Sequence, residues 1–407
     1  MNLLPASATR DARILVFTRA IRAFVDGIAF VVLPAYLEHL GFSGVQIGTV
    51  VAASLLGSAV LTLTTGYVAH RFDPAKLLTI SSWIMITTGI AFGLSRAFFL
   101  LVIIGIITTM NPSAGDVSPF LPLEQSLLSN NVDAAERTAL FARYSLTASL
   151  IGSMGALCAG LPVIVARQMQ YADQTGRQAA FVTYGLAGFV LLFAYSQLSA
   201  TSRIRATKSD SALSPQSRNI VFKLSALFSL DSLGGGFATQ AIFALWVFRK
   251  FGISMESLGV VFFAAGTVAA FSSLAAVKIA DRIGLVRTMV FTHIPASVLL
   301  ILVALAPNVW IAMTLFIARG LLSQMDVPVR TSYVMAVVAP AERAAAASIT
   351  NVPRSLASAL PPIAAGWMLD QSTFGWPLIM CAACKITYDL LLLKMFKDVR
   401  PPEEQNN

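Results

Sequence analysis

The sequence predicts an all-α integral membrane protein, with twelve transmembrane helices in two pseudo-symmetric six-helix bundles. Three observations predict it. Hydrophobic residues make up 56% of the 407 and charged residues only 12%, where ordinary soluble domains are about a quarter charged. A soluble chain of this length could not hide so much apolar surface, so lipid must be its solvent. Apolar stretches of the roughly 20 residues that a spanning helix needs recur twelve times, without the strand-like alternation of an outer-membrane barrel. Finally, the pattern from Gly41 to Lys76 returns 211 positions later, from Gly252 to Arg287.

The spans are approximately 13–39, 45–69, 76–95, 97–128, 137–166, 178–200, 220–249, 254–278, 287–306, 308–338, 342–369 and 374–396. The polar segment from Met1 to Arg13 leads into a stretch too long and too interrupted by charge to be the apolar region of a cleavable signal peptide. Span 1 carries Arg19, Arg22 and Asp26 at spacings of three, four and seven, hence on one face. Span 4 carries Asp116 and Glu124, and Pro112, Pro119 and Pro122 break it, freeing backbone groups. Span 5 carries Arg143 with Gly152, Gly155 and Gly160. The polar, Ser-, Arg- and Lys-rich stretch Thr201 to Arg218 contains Pro215. It reads as a mobile linker that divides residues 1–200 from 219–407.

In the second half, Asp231 of span 7 precedes Gly234, Gly235 and Gly236, a run that reads either as a hinge or as a close helix crossing. His293 in span 9 reads as a packing residue. Arg319, Asp326 and Arg330 in span 10, at steps of seven and four, share a stripe. Span 11 holds Arg354 and the pair Pro361-Pro362. In span 12, Lys385 and Asp389 read as a structural pair four residues apart. Cys381 and Cys384 read as small apolar helix residues, since no His or second Cys pair stands nearby. Tyr36, Trp246 and Trp310, near helix ends, read as interfacial anchors. No cofactor and no metal is expected.

A second repeat supports the division. Pro122 and Pro328, Ser126 and Ser332, Glu136 and Glu342, Arg137 and Arg343, and Gly160 and Gly366 align at an offset of 206. The net charge of +9 marks orientation rather than nucleic-acid binding. Seventeen of the 29 Lys and Arg lie at the termini, in the even-numbered loops or on the span ends beside them, five in or beside loops on the other side and seven deeper inside spans. The positive-inside rule then puts both termini in the cytoplasm, with attraction to anionic lipid headgroups as a secondary effect.

Both copies of the first repeat end in a loop that resembles the helix-2/3 signature of the major facilitator superfamily, roughly Gly-x-x-x-Asp-Arg-x-Gly-x-x-Arg/Lys. The second copy runs from Val277 through Asp281, Arg282 and Gly284 to Arg287. The first runs from Gly66 through His70, Arg71 and Asp73 to Lys76, with His for Asp and Asp for the loop Gly. With twelve spans, internal duplication and a central linker, the resemblance covers essentially the whole chain. It implies that spans 1, 4, 7 and 10 line a central cavity between the halves. It also implies that Arg71, Lys76, Asp281, Arg282 and Arg287 close the cytoplasmic side. Proton-driven drug exporters of this superfamily usually carry an Arg early in helix 4 and a Gly-Pro-rich motif in helix 5. Here Asn111 stands at the first place, and the second lacks its Pro.

Charge inside a bilayer costs about 2.5–3.5 kcal/mol at mid-helix on insertion scales, so ionisable residues there are functional candidates with partners to be named. All four cavity spans carry such residues. Asp116, Glu124 and Asp26 are the candidates for proton coupling, since a carboxylate moving between wet and dry surroundings loads and releases a proton. Arg22, Asp231, Arg319, Asp326, Arg330, Arg143 and Arg354 are the candidates for the substrate cavity. Two structural alternatives stand beside these. Arg22 and Asp26 read equally as an ion pair within span 1. Position 330 aligns with Glu124, so a Glu124–Arg330 bridge between the halves would be a gate.

The expected function is secondary active transport of a small organic solute by alternating access, proton-coupled and exporting, in the inner (plasma) membrane. The Arg count suggests an anionic substrate, since guanidinium suits carboxylate and phosphate. Uptake of an anionic metabolite or metal chelate is the alternative, and a non-transporting membrane sensor is the alternative of another class. Partners are expected to be the solute, protons and membrane lipid, with no nucleic acid, and the chain is expected to be a monomer. No Walker loop, H-E-x-x-H or G-x-S-x-G in a supporting context points to an enzyme.

Overall fold

A computed structural model describes residues 5, 7–68, 71–113, 118–129, 131–133, 136–199, 214–339 and 342–396. The side chains of 138, 216, 273, 274, 277, 278, 281, 343–345 and 348 lie outside this description. Every predicted span is helical, and the described regular structure is all helical. Spans 1 to 3 are α1 (Arg10–His39), α2 (Gly44–Val68) and α3 (Pro74–Leu94). Span 6 is α8 (Asp173–Ser196), span 8 is α11 (Met255–Ile283), span 9 is α12 (Leu285–Leu305) and span 12 is α17 (Trp376–Phe396).

The other five spans are each two helices. Span 4 is α4 (Phe98–Ile107) and α5 (Phe120–Ser129), and span 5 is α6 (Arg137–Leu157) and α7 (Leu161–Gln168), joined by a 3₁₀ turn. Span 7 is α9 (Pro215–Phe237) and α10 (Gln240–Phe251). Span 10 is α13 (Val309–Gly320) and α14 (Asp326–Ala336), and span 11 is α15 (Arg343–Ala357) and α16 (Pro361–Gln371). Proline explains three breaks, at Pro112 and Pro119, at Pro162 and at Pro361, because each removes a backbone donor and clashes with the preceding turn. Side chains satisfy groups freed by such breaks. Asn111 Oδ1 accepts from the Ser113 backbone N–H at 2.9 Å, and Thr239 Oγ1 accepts from that of Ile242 at 3.3 Å.

Among the described residues, eight helices or helix pairs are long and apolar enough to cross a membrane, and α4 and α13 are shorter apolar helices. Phe99, Phe193 and Trp310 are 79%, 70% and 80% exposed, a disposition that suits a lipid solvent. The chain forms two compact units. One is built on residues up to 208 with 253–263, the other on 209–252 and from 264 onward. The predicted linker is shorter than expected at its far end. Ser214 caps α9 by accepting from the Ser217 N–H at 3.3 Å, and Pro215 to Arg218 form its first turn. Residues 201–213 lie outside the described residues.

The duplication is structural as well as textual. Gly41 and Gly252 end α1 and α10 at φ 82° and 62°, a left-handed conformation that glycine adopts without Cβ strain. Two residues on, Ser43 Oγ accepts from the Gln46 N–H and Ser254 Oγ from the Ser257 N–H, both at 3.3 Å. Of the three glycines in span 7, two are at close crossings. A Cβ on Gly234 would lie 2.9 Å from that of Cys384, and one on Gly236 would lie 2.5 Å from the Ser358 carbonyl oxygen. Tyr36 and Trp246, expected as interfacial anchors, are instead fully buried. Their polar ends are met inside the protein, by the Ser95 carbonyl at 2.5 Å and the Thr373 carbonyl at 3.1 Å.

Glu136 and Glu342, the repeated acids before α6 and α15, each fasten the segment that leads into the first helix of a unit. Glu136 Oε2 accepts from the Ser7 N–H at 3.0 Å and the Ser7 hydroxyl at 2.5 Å. Glu342 Oε1 accepts from the Ser214 N–H at 2.6 Å. The hydroxyl of Ser217 and the Ser214 N–H hold the Glu342 carboxyl below its ordinary 4.5. A depressed carboxyl pKa gives stability that is present above the unfolded value and lost as pH falls through the folded one. The wild-type melting temperature in detergent should therefore fall more between about pH 6 and about pH 3.5 than that of Glu342→Gln. Parallel curves for the two proteins would refute the tie.

Candidate functional site

Each unit holds one network of buried charge. In the first, the centre is Glu124 of α5, whose side chain is 0% exposed. A carboxylate so buried must be met by a cation or several donors, and it is met by four side chains. Arg22 of α1 forms a salt bridge to Oε2, and the Tyr144 hydroxyl of α6 donates to the same oxygen. Thr18 of α1 donates to Oε1 at 2.9 Å and Tyr195 of α8 at 2.6 Å. Arg22 also donates to Ser118 Oγ at 3.2 Å and lies over the Phe120 ring at 4.5 Å. Arg19 lies over the Tyr144 ring at 5.5 Å.

This corrects the expected Arg22–Asp26 pair. The guanidinium turns from its own helix to the deeper acid, and Asp26 is left with a buried Oδ1 that has no hydrogen-bond partner among the described residues. Asp116 lies outside the described residues. Arg143, one residue before Tyr144, is half-buried, and its Nη1 has no hydrogen-bond partner among the described residues.

In the second unit the centre is Asp231 of α9. Its Oδ2 accepts from Arg330 Nη1 at 3.0 Å and its Oδ1 from Lys385 Nζ at 2.7 Å. Asp326 stands 3.3 Å from the same Arg330 nitrogen, one helical turn away in α14. Lys385 Nζ also reaches His293 Nε2 at 3.3 Å, and His293 Nδ1 lies 3.1 Å from Asp389. Arg354 of α15 donates from Nε to Ser232 Oγ at 2.9 Å.

Three expectations are corrected here. Lys385 and Asp389 do not pair with each other, because buried Asp231 and His293 offer closer partners on facing helices. The stripe of Arg319, Asp326 and Arg330 is interrupted, because α13 ends at Gly320 and the chain turns before α14 begins at Asp326. Glu124 and Arg330, weighed above as partners of each other, are each neutralised within their own unit, by Arg22 and by Asp231 with Asp326. The two networks have opposite polarity. Glu124 and Arg330 occupy equivalent positions in the repeat, and their partners Arg22 and Asp231 lie on the first helix of each unit.

Sequence reasoning missed Thr18, Tyr144, Tyr195 and the partners of Lys385. The mid-span lysine was a sign of a buried acid nearby, but nothing in the sequence identified which one. Of the loop candidates, Arg71, Lys76, Arg282 and Arg287 are exposed, and the side chain of Asp281 lies outside the described residues. Gly284 has φ 87° ahead of α12. At the equivalent place Asp73 keeps negative φ and caps α3 by accepting from the Ala75 N–H at 2.9 Å. Among the described residues no cluster of three His, Cys, Asp or Glu is placed to hold a metal ion.

Comparison with known proteins places this architecture. The sequence matches the description of the Major Facilitator Superfamily over residues 15–248 and again over 224–407. An uncharacterized membrane protein of Saccharomyces cerevisiae is 23% identical over 426 residues, covering 96% of this chain and 95% of the relative. The multidrug export protein EmrB of Escherichia coli is 30% identical over 140 residues, 33% of this chain and 25% of that protein. Among solved structures, a bacterial homolog of the human lysosomal transporter Spinster superposes with a TM-score of 0.75 at 14% identity. That match covers 96% of this chain and 97% of the other, and likeness at this identity shows the fold alone.

The Glu124 network makes a stability prediction. Breaking a buried ion pair from one side costs roughly 3–5 kcal/mol, because the surviving charge stays buried and unmatched. Glu124→Gln should lower the melting temperature strongly, and Arg22→Gln added to it should recover at least part of the loss. An additive double variant would mean that the two residues do not act as a pair.

Proposed function

The chain belongs to the major facilitator superfamily, and on that premise we propose that it is a proton-coupled secondary transporter that exports a small organic solute. It is a multi-pass membrane protein with a transporter fold, so alternating access is the mechanism to test. The observation that carries the reading is the pair of buried charge networks of opposite polarity, one on α1 and α5 and one on α9 and α14. Such charge is costly in a lipid-solvated bundle and marks ion or substrate pathways. The local similarity to EmrB supports export over uptake. The inner (plasma) membrane with both termini cytoplasmic, and a monomeric state, complete the reading.

Among the coupling candidates, Asp26 is better placed than Glu124. Glu124 is held by a guanidinium and three hydroxyls, whereas Asp26 forms no salt bridge among the described residues and its Oδ1 has no hydrogen-bond partner there. Asp116 is the third candidate. Arg71, Lys76, Asp281, Arg282 and Arg287 are proposed to steady the closed cytoplasmic side, with α3 capped by Asp73 beside the first pair.

For the substrate, Arg22 and Arg330 are already paired with acids, so the anionic reading rests on Arg143, Arg319 and Arg354. None of the three forms a salt bridge with an acid among the described residues, and guanidinium groups not held by a carboxylate suit a carboxylate- or phosphate-bearing solute. A ligand-induced melting screen of organic anions, cations and neutral solutes tests this. Anions should stabilise the purified protein, and Arg354→Lys should weaken that effect about tenfold or more in apparent affinity. Stabilisation by cations alone would overturn the anionic assignment.

The solute found in that screen then serves in proteoliposomes with an imposed pH gradient. Asp26→Asn should abolish accumulation driven by the gradient while leaving downhill exchange intact. Full accumulation in this variant would remove Asp26 from the coupling path.

A further inference from the structure

The second unit contains titratable groups that the preceding reading leaves unused. His293 of α12 is buried, with 3% of its side chain exposed, and Asp389 of α17 is 0% exposed. Lys385, one turn before Asp389, sends its ammonium between His293 and Asp231. The groups form a continuous series: Asp231 Oδ1 to Lys385 Nζ at 2.7 Å, Lys385 Nζ to His293 Nε2 at 3.3 Å, and His293 Nδ1 to Asp389 at 3.1 Å.

The donor inventory fixes how protons sit in this series. An ammonium has donors and no acceptor, so Nε2 must accept from Lys385. The ring is then neutral and carries its proton on Nδ1, where it donates to the Asp389 carboxylate. A further proton would enter at Nε2. It would place an imidazolium beside an ammonium and 3.8 Å from Asp231 Oδ1. Imidazolium and ammonium would then compete for the one carboxylate oxygen. Its other oxygen holds Arg330, so protonation would act directly on the bridge between α9 and α14.

The geometry points to a proton-binding site at His293 and Asp389, whose occupancy is transmitted through Lys385 to the Asp231–Arg330 bridge. This inference rests on the reading of a proton-linked transporter and adds a site in the second unit, built on residues other than Asp26, Asp116 and Glu124. The helices packed most closely against α12, which are α17, α13 and α14, bear charged groups of this network. They are Lys385 and Asp389 with the Tyr388 ring from α17, Asp326 and Arg330 from α14, and Arg319 from α13. From α9, Asp231 faces the same ring. The nearest cation and nearest anion, Lys385 and Asp389, act on the His293 proton in opposite directions, so the site is sensitive to either one.

The test uses the purified full chain in phospholipid vesicles, with the proton itself as probe. The protein has 3 histidines, and H39Q/H70Q leaves His293 as the only one. Nitrogen-15 NMR of the labelled histidine should show the neutral ring protonated on Nδ1 at high pH. A second proton, taken up at Nε2 as pH falls, should convert the ring to imidazolium. In that background Lys385→Gln, which removes a like charge, should raise the midpoint by about one pH unit or more, a tenfold gain in proton affinity. Asp389→Asn should lower it by a similar amount.

A ring that stays neutral throughout, or that carries its proton on Nε2, overturns the site. So does a midpoint that moves in neither variant. Should either variant fail to fold, the tautomer and titration in H39Q/H70Q remain decisive. Because no solute or gradient is involved, absence of pH-driven flux in the wild type would fault the transport reading and leave this result standing.

Discussion

A protein whose solvent is lipid has no water at mid-depth to share the cost of an ionised side chain. Every buried charge has to be answered by its neighbours, and the rest of each unit is arranged around that answer. In the first unit, α1, α6 and α8 all send a side chain to one carboxylate, Glu124 of α5. In the second, α9, α14 and α17 meet at Asp231. The helix interiors are apolar nearly all round, and between apolar helices in lipid there is little hydrophobic preference for one neighbour over another. The polar centres supply the directional contacts that such packing lacks.

The fold was legible in the sequence because its signals are local. Span length follows from bilayer thickness, and Gly41, Gly252, Ser43 and Ser254 announce the turns by their own chemistry. Pro112 and Pro119 marked the break in span 4, and prolines also stand at the breaks in spans 5 and 11. The break in span 10 was not legible, because no proline or run of polar residues stands between Arg319 and Asp326. That missing turn is why the stripe of three charges did not survive.

The candidate site was legible only by residue type. Composition alone said that Arg22, Glu124, Asp231, Arg330 and Lys385 must be answered by something, but not by what. Helical spacing favoured partners within one span, such as Arg22 with Asp26 and Lys385 with Asp389. The structure favours partners on facing helices, Glu124 for Arg22 and Asp231 for Lys385. Tyr144 and Tyr195 illustrate the same limit. A tyrosine in a spanning helix usually suggests the membrane interface, and only the folded unit shows their hydroxyls closing on Glu124.

The second network also has an electrical side. Among its described residues, Arg319, Arg330, Arg354 and Lys385 face Asp231, Asp326 and Asp389, which leaves one positive charge in excess while His293 is neutral. An elementary charge carried across the full membrane potential exchanges about 2.3 kcal/mol per 100 mV. Any rearrangement that shifts this cluster along the membrane normal therefore moves charge through the field, whether or not a solute travels with it. Protonation of His293 would enlarge the charge that moves, so the voltage sensitivity of the protein becomes a function of pH.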